Sequence, residues 1–286
     1  LLGLAPTSTW AQIPSPGALR TQFAALKAQG TGQLADRSIY LRSTESTDRM
    51  QGEVHAVIDE PFEQVRQELT RAERWCDVLI LHINVKYCRG QLTAAGDELV
   101  SGVGRKFDQP LSEVHWVRFG FKVPVDTNDH MLVELGAPSG PLATRDYRIV
   151  VEAVPHANGK SLVRMTYSYG FGTAARWAMK TYLATLGRGK SGFSIVGQSA
   201  GGQPVRVEGV RGVVERNTLR YYLALQSHLQ SRKAPDATRL QQSLDLWFSA
   251  TERYAEQLRE MDRADYVAMK LKEEKRQEAV APPPPG

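Results

Sequence analysis

Cysteine is scarce: Cys76 and Cys88 are the only two in 286 residues. Neither belongs to a C-x-x-C pair or to a cysteine–histidine ligand spacing, which argues against a zinc site. Long hydrophobic runs are missing as well, and no stretch approaches the roughly 20 apolar residues that a bilayer-spanning helix needs. Concentrated charge is also missing. The net charge is +5, but the basic residues are scattered, without a Lys/Arg-rich run or an aromatic–basic motif, which argues against a nucleic-acid partner. The six histidines, His55, His82, His115, His130, His156 and His228, form no H-x-x-x-H or H-E-x-x-H arrangement. No G-x-S-x-G nucleophile elbow occurs either, so no metal ligand and no catalytic residue is assigned.

Two strings come near a cofactor motif and fail on context. Gly170-Phe171-Gly172-Thr173-Ala174-Ala175 follows a strand pattern and opens a helical one, as a dinucleotide-binding turn does. That site needs a parallel strand after the helix and an acidic residue about 20 positions on, whereas this chain enters a glycine-rich segment. Gly189-Lys190-Ser191 is similar to the end of a phosphate-binding loop, yet Ala184 stands where its first glycine belongs. No cofactor follows.

What is present is enough for a full core. With 42% hydrophobic and 23% charged residues, a chain of this length can enclose an internal cavity. Leu1 to Pro6 is apolar and the run continues to Trp10-Ala11-Gln12, so residues 1–11 read as the tail of a secretory signal. The expectation is a periplasmic or secreted protein, in which Cys76 and Cys88 form one disulfide between a helix and the following strand.

Ser15-Pro16, then Leu19, Phe23 and Leu26, then Gly30, predict an amphipathic helix over 16–28. Alternating apolar residues predict strands over 39–43 and 50–58, and Asp59-Glu60-Pro61 starts a helix with Phe62, Val65 and Leu69 on one face. Strand patterns recur over 82–89, 97–106, 113–124, 130–136, 144–154 and 161–170, with connections short enough for antiparallel pairing only. Residues 174–186 are helical in composition and 187–209 read as one glycine-rich loop. A helix over 210–230 carries Val214, Thr218, Tyr221, Tyr222, Leu225 and Leu229 on a broad apolar face. In the segment 236–277, Leu240, Leu244, Trp247, Thr251, Tyr254, Leu258 and Met261 recur in steps of four and three. The spacing predicts a single helix, about 60 Å long, whose seam is buried either on its own domain or in a dimer, with Thr251 and Asp265 at seam positions favouring the former.

The strings GEVHAVIDEPFEQVRQEL (52–69), RDYRIVVEAV (145–154), SLVRMTYSYGFG (161–172) and GVVERNTLRYYLALQSHL (212–229), in this order, resemble the START-like (helix-grip) superfamily. The resemblance implies an α+β fold in which a curved antiparallel sheet wraps a long C-terminal helix around a hydrophobic cavity. It also implies a division into a signal remnant (1–11), an N-terminal helical segment (12–37), a START-like domain (38–231), a helical extension (232–278) and a disordered Pro-rich tail (279–286). The superfamily includes lipid carriers and polyketide cyclases. Binding or transport of a hydrophobic, lipid-like molecule is therefore the leading expectation; a cyclase-type enzyme, or an interaction module acting through the C-terminal helix, are the alternatives.

Strand alternation sets Val163, Met165, Tyr167 and Tyr169 on one face, with Tyr147, Ile149 and Val151 on the matching face of the neighbouring strand. Phe119 and Phe121 share a face opposite Trp116. The expected ligand-binding set is Phe119, Phe121, Tyr147, Met165, Tyr167, Tyr169, Trp177, Tyr221, Tyr222 and Leu225. Trp177, Met179, Tyr182, Leu183 and Leu186, beside Arg176, Lys180, Arg188 and Lys190, predict a mobile cover that makes transient contact with an anionic membrane surface.

Overall fold

The computed structural model describes residues 15–36, 38–173 and 190–283. Eight strands form one antiparallel sheet: β1 (Ile39–Glu45), β2 (Arg49–Ile58), β3 (Val85–Thr93), β4 (Gly96–Val103), β5 (His115–Asp126), β6 (Met131–Ser139), β7 (Thr144–His156) and β8 (Lys160–Phe171). Their order is β1-β2-β8-β7-β6-β5-β4-β3. From β3 to β8 the sheet is a meander, because each short turn allows only the adjacent antiparallel position. The β1–β2 hairpin pairs with the last strand, Val54 lying opposite Met165. Helices α2 (Phe62–Leu69) and α3 (Ala72–Leu79) carry the chain from β2 to the far edge.

Helix α4 (Gly209–Ser231) lies against the inner face and packs on β1, β2, β8 and α3. It is buried nearly all round, as a helix held between two layers must be. Gly52 of β2 is what lets it approach: a Cβ there would stand 2.1 Å from Thr218 Oγ1 and 2.9 Å from Val214 Cγ1. Gly52→Val should therefore push α4 off the sheet and cost about 1–3 kcal/mol, read by denaturant unfolding. An unchanged unfolding midpoint would show that the helix does not press on the strand.

Helix α1 (Pro16–Gln29) is built as its sequence dictates, with Ser15 Oγ accepting from the Ala18 N–H and Gly30, at φ +61°, closing the end. Its Leu19, Phe23 and Leu26 form a second, smaller core with Tyr40, Val154 and Leu162 on the outer face of the sheet. The Cys76–Cys88 disulfide joins α3 to β3, with a Cα separation of 5.2 Å. Among the described residues no helix is long and apolar enough to cross a membrane.

Three expectations change. The strand expected at 82–89 begins at Val85, because His82 and Val85 donate their N–H groups to Leu79 and His82 in a turn that continues α3. The glycine-rich stretch is not one loop; it holds a hairpin, β9 (Ile195–Gln198) with β10 (Pro204–Arg206). Buried Glu215 of α4 anchors that hairpin, accepting the N–H groups of Phe193 (2.6 Å) and Ser194 (2.9 Å). The single helix over 236–277 is three: α5 (Asp236–Glu252), α6 (Ala255–Leu258) and α7 (Arg263–Ala279). A straight rod would carry half its apolar seam beyond the domain. The break folds the chain back instead, so that Trp247 of α5 stacks on Tyr266 of α7 at 4.7 Å. Leu244, Trp247, Tyr254 and Leu258 are all buried on the chain's own core. The helix expected at 174–186 and its lid role lie outside the described residues.

Candidate functional site

Alternation along β8 turns Met165, Tyr167 and Tyr169 inward, toward α4, and alternation along β7 sets Tyr147 on the same side as Ile149 and Val151. Tyr147 stacks on Tyr169 at 5.2 Å and contacts Tyr167 at 6.0 Å. Tyr167 in turn lies 5.4 Å from Tyr221 of α4. Thr144 Oγ1 donates to the Tyr147 hydroxyl at 2.8 Å. Burial pushes the phenols of Tyr147, Tyr167, Tyr169 and Tyr221 up. All four stay neutral and can act only as apolar faces and hydrogen-bonding hydroxyls.

The row ends on a residue that periodicity does not mark. His82, buried in the turn after α3, stacks on Tyr221 at 4.2 Å. Its Nδ1 accepts the Asn84 N–H at 3.2 Å, which places the ring proton on Nε2, and Nε2 has no partner among the described residues. Burial holds the imidazole well below its ordinary value, and Arg220, Lys270, Lys106 and Lys86 act in the same direction. It is a neutral donor. Beside it, Glu260 between α6 and α7 takes Arg220 (2.6 Å), Lys106 (2.7 Å) and Lys190 (3.1 Å). Burial raises the Glu260 carboxyl, but Arg220, Lys106 and Lys190 outweigh it and the net direction is down.

Of the expected ligand set, Tyr147, Tyr167, Tyr169 and Tyr221 come together. Phe119, Met165 and Leu225 are buried in the same core, and half-buried Phe121 lies 6.5 Å from Trp75 at the α3 side. Tyr222 is in a different place: one step round the helix from Tyr221, it is fully buried and makes no ring contact with the tyrosine row among the described residues. It therefore does not join the tyrosine row. Trp177 lies outside the described residues. His82, Arg220 and Glu260 were missed. The one available signal for His82 was its position inside the apolar run Val78-Leu79-Ile80-Leu81-His82-Ile83.

No family model matches the chain, and no curated protein matches it. Solved structures resemble it at low identity. The STAR-related lipid transfer protein (fragment 25–204) from Xanthomonas axonopodis is 13% identical over 69% of this chain and 96% of that one, with a TM-score of 0.41. Human STARD10 is 11% identical over 63% and 79%, with a TM-score of 0.35. Norcoclaurine synthase from Thalictrum flavum is 11% identical over 50% and 91%, with a TM-score of 0.36. By its own element order and pairing, with an eight-stranded antiparallel sheet closed over a buried helix near the C-terminus, the chain has the START-like helix-grip α+β fold.

Proposed function

We propose that this protein binds a hydrophobic, lipid-like or aromatic molecule between the inner face of the sheet and α4. One observation carries the reading: a row of neutral phenols, Tyr147, Tyr169, Tyr167 and Tyr221, ends on His82, whose buried Nε2–H finds no acceptor among the described residues. An unpaired buried donor costs about 1–3 kcal/mol. A ligand with an apolar body and one acceptor oxygen offsets that cost, and few polar groups on an otherwise apolar wall is the usual make-up of a small-molecule site. The resemblance to a superfamily that includes lipid carriers points the same way. Export, and membrane contact by residues 174–209, belong to the same proposal; exposed Ile195, Val196 and Val205 of the β9–β10 hairpin support the contact.

An enzyme using the same space is the second reading, favoured by His82 alone, since a neutral imidazole against the tyrosine row could hold a reacting oxygen through its Nε2–H. Native mass spectrometry of the chain purified from its own host should show an added mass that organic extraction removes. His82→Leu should weaken retention of that molecule about tenfold, the loss of one hydrogen bond. A parent chain that carries no added mass and takes up no long-chain acyl probe sinks the reading.

A further inference from the structure

β3 is the edge strand of the sheet, and its free side is covered by the C-terminal chain. Gln277 Oε1 of α7 accepts the Cys88 N–H at 2.5 Å. Past α7 the chain runs Val280-Ala281-Pro282-Pro283 across the outer face. Two donors meet it there: the Tyr87 hydroxyl on the Val280 carbonyl at 2.9 Å, and the Arg118 guanidinium on the Pro283 carbonyl.

The spacing of those two contacts is informative. Each proline fixes its own φ near −65° and bars the residue before it from helical backbone, so Ala281-Pro282-Pro283 favours polyproline II. That helix repeats every three residues and rises about 3.1 Å per residue, so carbonyls three apart lie on one side about 9 Å from each other. Tyr87 on β3 and Arg118 on β5 are separated by β4, two strand spacings or about 9.6 Å across the sheet, and Arg118 lies two residues along β5 from Trp116, the residue in line with Tyr87. Their long side chains span that offset and reach carbonyls three residues apart, one turn of the segment.

The ground between them is shaped for the same guest. Tyr87, Gly102 and Trp116 stand in one row across β3, β4 and β5. The Tyr87 and Trp116 rings meet beside Gly102, edge to face, at 5.3 Å; a Cβ there would crowd Val114 Cγ2 at 3.0 Å and Tyr87 Cβ at 3.3 Å. Arg118 is held in place by Glu98 at 2.8 Å, and Glu98 by Gln91 at 2.6 Å. Aromatic side chains flanked by hydrogen-bond donors are how grooves read a proline-rich segment, which offers carbonyls, no proline N–H and a preformed, low-entropy shape.

We infer that the outer face of β3–β5 is a binding groove for polyproline II segments, seated in this chain by its own Val280–Pro283 and open to a proline-rich segment of another polypeptide when that seat is vacated. The inference is independent of the binding proposed between the sheet and α4.

The test uses the full chain labelled with 5-fluorotryptophan, the Trp116 line being assigned with Trp116→Phe. In one variant Pro282→Gly, Pro283→Ser, Pro284→Gly and Pro285→Ser keep the length and remove the prolines. The Trp116 line should move in that variant and return on titration with a free peptide of sequence AVAPPPPG. The unsubstituted chain should require at least about tenfold more peptide, because its tethered tail competes. Adding Arg118→Met to the variant should weaken the peptide about fivefold or more. The lines of Trp75 and Trp247, both buried, report that the core is intact. A Trp116 line that is the same in both chains and unmoved by millimolar peptide overturns the inference, as does equal binding of the peptide with its prolines replaced by alanine.

Discussion

Replacing Glu273 with alanine should lower the melting temperature by roughly 6–20 °C, the largest effect expected of any single substitution on the C-terminal helix. Lys86, Lys270 and Glu273 form a triad with side chains 0%, 1% and 0% exposed. One carboxylate serves two ammonium groups, Lys86 at 3.0 Å and Lys270 at 2.8 Å. The remaining protons go to the Ile83 carbonyl and the Met269 Sδ from Lys86, and to the His82 and Val85 carbonyls from Lys270. Burial pulls both lysines below their ordinary value, Lys270 to about 8, while Glu273 opposes the shift. Without Glu273, two buried cations face each other uncompensated, and breaking a buried pair in this way costs about 3–5 kcal/mol.

Changing all three together, Lys86→Met, Lys270→Met and Glu273→Leu, should recover part of the loss. No charge then remains buried, though the carbonyls of the 82–85 turn lose their donors. Calorimetry of the three proteins, parent, Glu273→Ala and the triple variant, decides it. If Glu273→Ala melts within about 2 °C of the parent, the triad does not hold α7 to the domain.

Between pH 6.5 and about 4 the chain should lose about 3 kcal/mol of stability through His55 alone. His55 sits on β2 with its side chain fully buried and neither ring nitrogen hydrogen-bonded. Its cross-strand neighbours Tyr40 and Arg164 both touch α1, through Phe23 and Gln22. Burial lowers the imidazole from 6.5 to about 4; Glu53 opposes this and Arg164 and Arg42 add to it. The folded value lies below the unfolded one. The unfolded chain therefore binds a proton in this window that the folded chain refuses, stability falls as pH drops below 6.5, and the fall stops below about 4 when the folded ring protonates too.

His55→Phe should flatten the unfolding free energy over that window by about 3 kcal/mol relative to the parent. His82, also shifted down by burial, is present in both chains and cancels in the difference. Parallel curves for parent and variant would show that His55 does not drive the acid sensitivity.

Backbone geometry repeats every two residues in a strand and every 3.6 in a helix, and whatever follows from those periods could be read from the residues alone. The inward face Val163, Met165, Tyr167 and Tyr169 and the opposition of Phe119 to Trp116 belong to this class; the caps of α1, the antiparallel pairing and the Cys76–Cys88 bond are legible instead from residue identity, short connections and the presence of just two cysteines. The exact breaks are not. The seam of the 236–277 segment continues across Arg253 and Arg259 without a proline or glycine to mark a stop, and only the need to lay both α5 and α7 on one core bends it. Nor does any period announce a pair of residues far apart in the chain. Lys86 with Glu273, Arg220 with Glu260, His82 with Tyr221 and Tyr87 with Val280 are joined by the path of α4 and the helices after it. Local pattern depends on which atoms a residue carries to one side of its own backbone; a remote contact depends on which surfaces are left unburied once every other element is packed, and that is decided only by the assembled fold.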